Sequence, residues 1–198
     1  VPIVPIDIAK TYEAIEKYFG VLLGHGKKFI SVVGDHSTTL PILRALRKKY
    51  KKPLAVVHFD AHLDTYPPAW GMDFHHGSFM RHGIEEDLVN PKKLFQIGLR
   101  GPLAGKDDLD FIAKHGVHPV TVKDIRDGSI DKLTERINKT IGDDLVYITY
   151  DVDCLDPAYA PGTGTPVIGG LTTYETQQIL RGLKLPGLVG GDIVEISP

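Results

Sequence analysis

Six short apolar runs alternate along the chain with stretches of helical spacing. The runs Lys28–Val33, Leu54–Phe59, Lys93–Leu99, Val117–Val122, Leu145–Tyr150 and Leu188–Ile196 are strand-length, and such runs read as buried strands. Ahead of them, Val1–Ile6 reads as an extended lead-in with two prolines. Asp7 then suits an N-cap for a helix through Leu23, with Ile8, Tyr12, Ile15, Tyr18 and Phe19 at near-helical spacing and Gly24 and Gly26 stopping it. A second helix is expected over Leu40–Tyr50, capped by Ser37 or Thr38, with Pro41 tolerated in its first turn. Its basic end, Lys48, Lys49, Lys51 and Lys52, suits the helix dipole. Further helices are expected over Gly77–Asp87, Asp107–Lys114, Ile130–Ile141 and Tyr174–Leu183. Two loops, Thr65–His75 and Asp156–Gly170, carry the proline and glycine that break regular structure. Strands alternating with helices predict an α/β fold: a three-layer α/β/α sandwich around a mainly parallel sheet, one domain over 1–198.

Composition narrows the function classes. The chain has 198 residues, enough for one domain with a sizeable core. Its 23 basic and 25 acidic residues nearly balance, which gives no electrostatic reason to expect nucleic acid or an anionic membrane. No apolar run approaches the roughly 18 residues of a membrane span. The one cysteine, Cys154, allows no internal disulfide and fits a reducing, cytoplasmic setting. The chain opens at Val1 without a charged-then-apolar signal segment.

The chemistry sits at the strand ends. HFDAHLDTY, His58–Tyr66, places Asp60, His62 and Asp64 two residues apart after an apolar run, and alternate residues of extended chain point the same way. VVGDHS delivers His36 at the end of another strand, and DLVYITYDVDCLDP ends a third in Asp151 and Asp153. Four carboxylates and two imidazoles are too many for one tetrahedral zinc. They suit a pair of divalent ions sharing carboxylates. All three stretches fall at strand C-termini, where open α/β sheets bind ligands.

Other chemistries find no support. There is no phosphate loop of the Walker type: GTGT at Gly162–Thr165 opens no helix and lacks the lysine. No G-x-S-x-G elbow is present. Cys154 reads as packing and not as a nucleophile. His76 in HHGSF is a candidate for proton exchange, with His75 competing. Glu195 in VEIS, at the end of the last strand, is a candidate partner for a cationic substrate, and Asp192 a weaker one. These residues alone point to metal-assisted hydrolysis.

The motifs together resemble the ureohydrolase family of arginase, agmatinase and guanidino-acid hydrolases. GDHS at Gly34–Ser37, FDAHLDT at Phe59–Thr65 and YDVDCLDPAYAPGTGTPVIGGLT at Tyr150–Thr172 are similar to its three signatures, and HHGSF and VEISP to two more. The APGTGTP run looks like the agmatinase branch. The resemblance implies an arginase-like fold, two manganese ions per chain (nickel in some members) and hydrolysis of a guanidino group to urea and an amine. It implies that Asp60 and Asp151 bridge the metals, with His36 and Asp64 completing one ion and His62 and Asp153 the other. Asp64 would also hold the attacking hydroxide, His76 would shuttle protons, and Glu195 would pair with the guanidinium. It further implies a homo-oligomer, trimer or hexamer. Against the family, the chain is short and is expected to lack N- and C-terminal segments. Agmatine is the first substrate expected; a guanidino acid would want a cation for its carboxylate, for which Arg81 and Arg100 are available, and guanidine or a biguanide are further alternatives. The rival readings are a one-zinc deacetylase of similar fold and an inactive binding subunit.

Overall fold

The computed structural model describes every residue except Pro2, Pro5, Trp70 and Ala104. The two prolines of the lead-in and the tryptophan of the first loop therefore lie outside the described residues. Asp7 caps α1 (Ile8–Gly24) as expected: its Oδ1 accepts the Lys10 amide at 3.0 Å, and Tyr12, Ile15, Phe19 and Leu23 face inward. Strand β1 (Phe29–Val32) leads into a 3-10 turn, His36–Thr38, and then α2 (Thr39–Tyr50). The cap expected at Ser37 or Thr38 is displaced. Thr38 makes no capping bond, while Asp35 accepts the Ser37 amide at 2.8 Å and so starts the turn ahead of the helix.

Strand β2 (Leu54–Phe59) forms where the apolar run predicts it. The single helix expected over 77–87 is a 3-10 turn, His76–Ser78, followed by α3 (Phe79–Glu85). Strand β3 (Val89–Leu99) begins four residues earlier than its apolar run. Pro91 is accommodated because the register with β2 slips between Leu54↔Val89 and Val56↔Leu94, an irregularity being one of the few places a strand tolerates proline. Next come α4 (Lys106–His115), β4 (His118–Thr121) and an unforeseen short helix, α5 (Val122–Asp127). Thr121 and Asp124 form a capping box that starts α5. The chain continues through α6 (Ile130–Ile141), β5 (Val146–Asp151), a 3-10 turn at Val152–Cys154, α7 (Thr173–Gly182) and β6 (Leu188–Val194).

The six strands form one parallel sheet in the order β1-β6-β5-β2-β3-β4. Strand β2 shows how the layers arise. Leu54 and Val56 enter a core with α1, α2 and α3, whereas Ala55, Val57 and Phe59 enter a second core with α5, α6 and α7. Full burial of each large apolar side chain contributes about 1.5–3 kcal/mol. No described helix is long and apolar enough to cross a membrane.

Candidate metal centre

The strand order decides which loops meet. β2 and β5 are neighbours in register, Phe59 beside Tyr150, so Asp60 and Asp151 leave the sheet side by side. β6 flanks β5, with Val194 beside Asp151, which brings Glu195 to the same edge. β1 flanks β6 in turn and carries the chain into the His36 turn.

All six proposed ligands converge. His36 Nδ1 lies 3.1 Å from Asp60 Oδ2, 3.1 Å from Asp64 Oδ2 and 3.2 Å from Asp151 Oδ2. His62 Nδ1 lies 3.2 Å from Asp60 Oδ1 and 3.1 Å from Asp153 Oδ2. Asp60 thus faces each imidazole with a different oxygen. Asp151 meets the His36 group with Oδ2, while its Oδ1 accepts the Asp153 amide at 2.8 Å. Asp153 accepts the Ala61 amide at 3.0 Å and the Thr165 hydroxyl at 3.2 Å. Asp64 and Glu195 adopt left-handed backbone, with φ of 51° and 61°. Non-glycine residues held there cost of order 1–3 kcal/mol and cluster at functional sites.

The cluster is electrostatically unbalanced. Burial, reinforced by the charge of Asp60, pushes the Asp151 carboxyl up to about 9 and raises those of Asp64 and Asp153. For Asp60 burial also opposes ionisation, but His58, His36 and His62 outweigh it and hold its carboxyl well below the usual range. Burial disfavours charge on both ligand imidazoles too. Even so, Asp153 and Asp60 raise His62 to about 11, and Asp151, Asp60 and Asp64 raise His36 well above its ordinary value. His36 Nδ1 is buried and aims at three carboxylate oxygens, yet makes a hydrogen bond to none of them. A polar atom left so costs about 1–3 kcal/mol. One nitrogen and three oxygens around a common focus are a donor set for a hard-to-borderline divalent ion. The residues present therefore fit such an ion.

The rim carries the two candidate acid–base groups. Glu195 Oε1 accepts the His36 amide at 2.7 Å and lies 3.6 Å from His76 Nδ1. Glu195 is the main cause of a raised His76 pKa. Burial opposes the Glu195 charge, but His76 and the His36 amide still lower its pKa. His75 turns away, its Nε2 3.1 Å from the Pro67 carbonyl oxygen. Asp192 stays inside the sheet, where its Oδ2 accepts the Thr39 and Tyr147 hydroxyls at 2.8 and 2.9 Å. Cys154 is fully buried, and burial pushes its thiol well up, as a packing role requires. Arg100 spends its guanidinium on the carbonyls of Gly98, Asp153, Cys154, Leu155 and Val167. Arg81 donates to the Thr65 carbonyl and to Glu85, and stacks over Phe111.

The structure adds one neighbour to the six ligands that the motifs mark. His58 is fully buried with Nε2 2.8 Å from Asp60 Oδ2, within metal-binding distance of the His36, Asp60 and Asp64 donors. It extends the two-residue alternation of Asp60, His62 and Asp64 backward into β2, and that spacing was its available signal.

Comparison with known proteins identifies the family of the chain. The model of the arginase family matches residues 1–198. The chain is 47% identical over 192 residues to an agmatinase of Photorhabdus laumondii, covering 97% of this chain and 59% of that protein. It is 40% identical over 198 residues to a guanidinopropionase of Pseudomonas aeruginosa, covering 100% of this chain and 62% of that protein. Among solved structures, proclavaminate amidino hydrolase from Streptomyces clavuligerus superposes with a TM-score of 0.92 at 39% identity, over 100% of this chain and 65% of that one. The chain spans about three fifths of the length of the curated relatives it matches. With the family model matching from Val1 to Pro198, the chain belongs to the arginase family.

Proposed function

We propose that the protein hydrolyses a guanidino compound to urea and an amine, and that its substrate is agmatine, yielding putrescine. The observation that carries the reading is the convergence of four carboxylates and two imidazoles from three strand ends beneath a rim holding Glu195 and His76. His36, Asp60, Asp64 and Asp151 would hold one divalent ion, and His62, Asp60 and Asp153 the other, with Asp151 as second bridge. Manganese is the expected metal and nickel the alternative. When bound, such ions supply Lewis acidity that lowers the pKa of water.

The remaining steps belong to the chain's own groups. Glu195 pairs with the guanidinium and orients its carbon toward the carboxylates, the kind of positioning worth several kcal/mol. Asp64 accepts the proton lost as water adds to that carbon. As the carbon–nitrogen bond breaks, His76 delivers a proton to the departing amine nitrogen.

The 40% identity to a guanidinopropionase makes a guanidino acid the second reading. Arg81 and Arg100 weigh against it, since both are engaged by backbone carbonyls and neither is free for a substrate carboxylate. We also propose a homo-oligomer, trimer or hexamer as the resemblance implies, in the cytoplasm, where the unpaired Cys154 is at home. The test is urea release from agmatine, guanidinobutyrate, guanidinopropionate and guanidine by the full-length protein loaded with manganese or nickel. Release from agmatine is expected. Release from a guanidino acid alone would overturn the substrate, and no urea from any of them with two ions bound would overturn the hydrolase.

A further inference from the structure

Directly beneath the ligands, a row of polar side chains runs in register across five strands. Gln96 of β3, His58 of β2, Thr149 of β5, Asp192 of β6 and Ser31 of β1 are successive cross-strand partners. Gln96, His58, Thr149 and Asp192 are buried. Polar groups in such a place cost about 1–3 kcal/mol each unless hydrogen-bonded, so the direction of every bond in the row matters.

Gln96 sets the direction at His58. Its Nε2 bonds the Leu63 carbonyl oxygen, which can only accept. The amide nitrogen therefore faces that side, because a flip would set oxygen against oxygen. The same nitrogen lies 3.2 Å from His58 Nδ1. An amide NH2 only donates, so Nδ1 accepts and carries no proton. The proton of the imidazole is then on Nε2, 2.8 Å from Asp60 Oδ2. His36 has the complementary arrangement, with Nε2 2.8 Å from the Thr149 hydroxyl and Nδ1 turned to the carboxylates.

We infer that His58 is a positioning residue and not a metal ligand: held by Gln96, it donates Nε2–H to Asp60 and fixes the carboxylate shared by the two ligand groups. Its other oxygen, Oδ1, takes the His62 amide at 2.6 Å, so Asp60 is pinned from both ends. Outer hydrogen bonds of this kind orient ligands and tune their basicity. The role, though not the bond direction, rests on the metal-centre reading above.

The test is a long-range proton–nitrogen NMR spectrum of the full-length protein carrying 15N-histidine, first metal-free and then with Zn2+ as a diamagnetic probe. His58 is expected as the Nε2–H tautomer in both states. An Nδ1–H tautomer or a doubly protonated ring without metal would overturn the inference, as would loss of the Nε2 proton on adding zinc, which would make His58 a ligand. Gln96→Leu should release the tautomer and weaken zinc binding about 10–100-fold. His58→Gln, whose amide can still donate to Asp60, should bind zinc more tightly than His58→Leu, and equal affinities would count against the donor role. If zinc fails to bind while the metal-free tautomer is as stated, the metal centre falls and the bond direction stands.

Discussion

Loading the site with metal should release protons, and the number follows from the cluster. Without metal at pH 7, His62 with its pKa raised to about 11 and His36 raised well above its ordinary value are both imidazolium. Asp151, pushed to about 9, keeps its proton. Each must lose a proton to become a ligand, so filling both positions at pH 7 releases about three. Each proton makes binding steeper by about 1.4 kcal/mol per pH unit, so one unit of acidification costs about 4 kcal/mol, or roughly 10³ in the product of the two binding constants. The assay is calorimetric titration of the full-length protein with Mn2+ at pH 7, in buffers of different ionisation enthalpy. The apparent enthalpy plotted against buffer enthalpy should have a slope near three. A slope below about one would refute the reasoning, because the imidazoles would then be neutral beforehand and the carboxylates charged.

Three further outcomes are expected. The folded metal-free chain keeps on Asp151 a proton that the unfolded chain gives up near its ordinary value of 3.8; its contribution is complete below that pH and drains away as pH rises through about 9. Asp151→Asn should therefore stabilise the chelated protein at pH 9 by a few kcal/mol at most, seen as a higher melting temperature, and by less at pH 5; equal gains at both would dismiss the argument. Glu195→Gln should let the raised His76 pKa fall toward 6.5 in an NMR titration and lower kcat/KM about 10–100-fold, the value of a charged hydrogen bond. Gly101→Ala would drive a methyl group into the His62 ring and to 3.0 Å from the Ala61 carbonyl oxygen. It should reduce bound metal from two ions per chain toward one by elemental analysis, and retention of both would show that His62 can move aside.

Much of the site was legible because three apolar runs, those of β1, β2 and β5, are followed within a few residues by Asp and His. A two-residue spacing marks Asp60, His62 and Asp64, and again Asp151 and Asp153, and the structure gathers them all, but through bends and not extended chain: β2 ends at Phe59, Asp64 has a φ of 51° and Asp153 lies in a 3-10 turn. Features that depend on pairing were hidden. His58 and Gln96 look like ordinary strand positions until the register sets them side by side. Likewise the sequence offers Arg81 and Arg100 as cations, and only the folded loops show that backbone carbonyls occupy them. Helix α5 has six residues, too few for periodicity to register, and the start of β3 was masked by Pro91, which a register slip absorbs. The cap of the second helix was misplaced because a 3-10 turn, started by Asp35, intervenes.

A metal centre and a buried ion cluster that merely stabilises the fold place different demands on this geometry. In a structural cluster charges balance, and removing one carboxylate strands an imidazolium at a cost of about 3–5 kcal/mol. Here four carboxylates crowd two imidazoles, and the shifts are lopsided: Asp60 falls while Asp64, Asp151 and Asp153 rise. Asp151 adds its charge to this crowd only as pH rises through about 9, so Asp151→Asn relieves the metal-free fold there instead of breaking it. The polar row beneath supplies a donor to Asp60 through His58, while the oxygens of Asp64 and Asp151 meet the His36 ring alone among the described residues. Divalent ions would take the place of the protons on His36 and Asp151, which is why stability without metal and loading with metal should move in opposite directions across substitutions at Asp151.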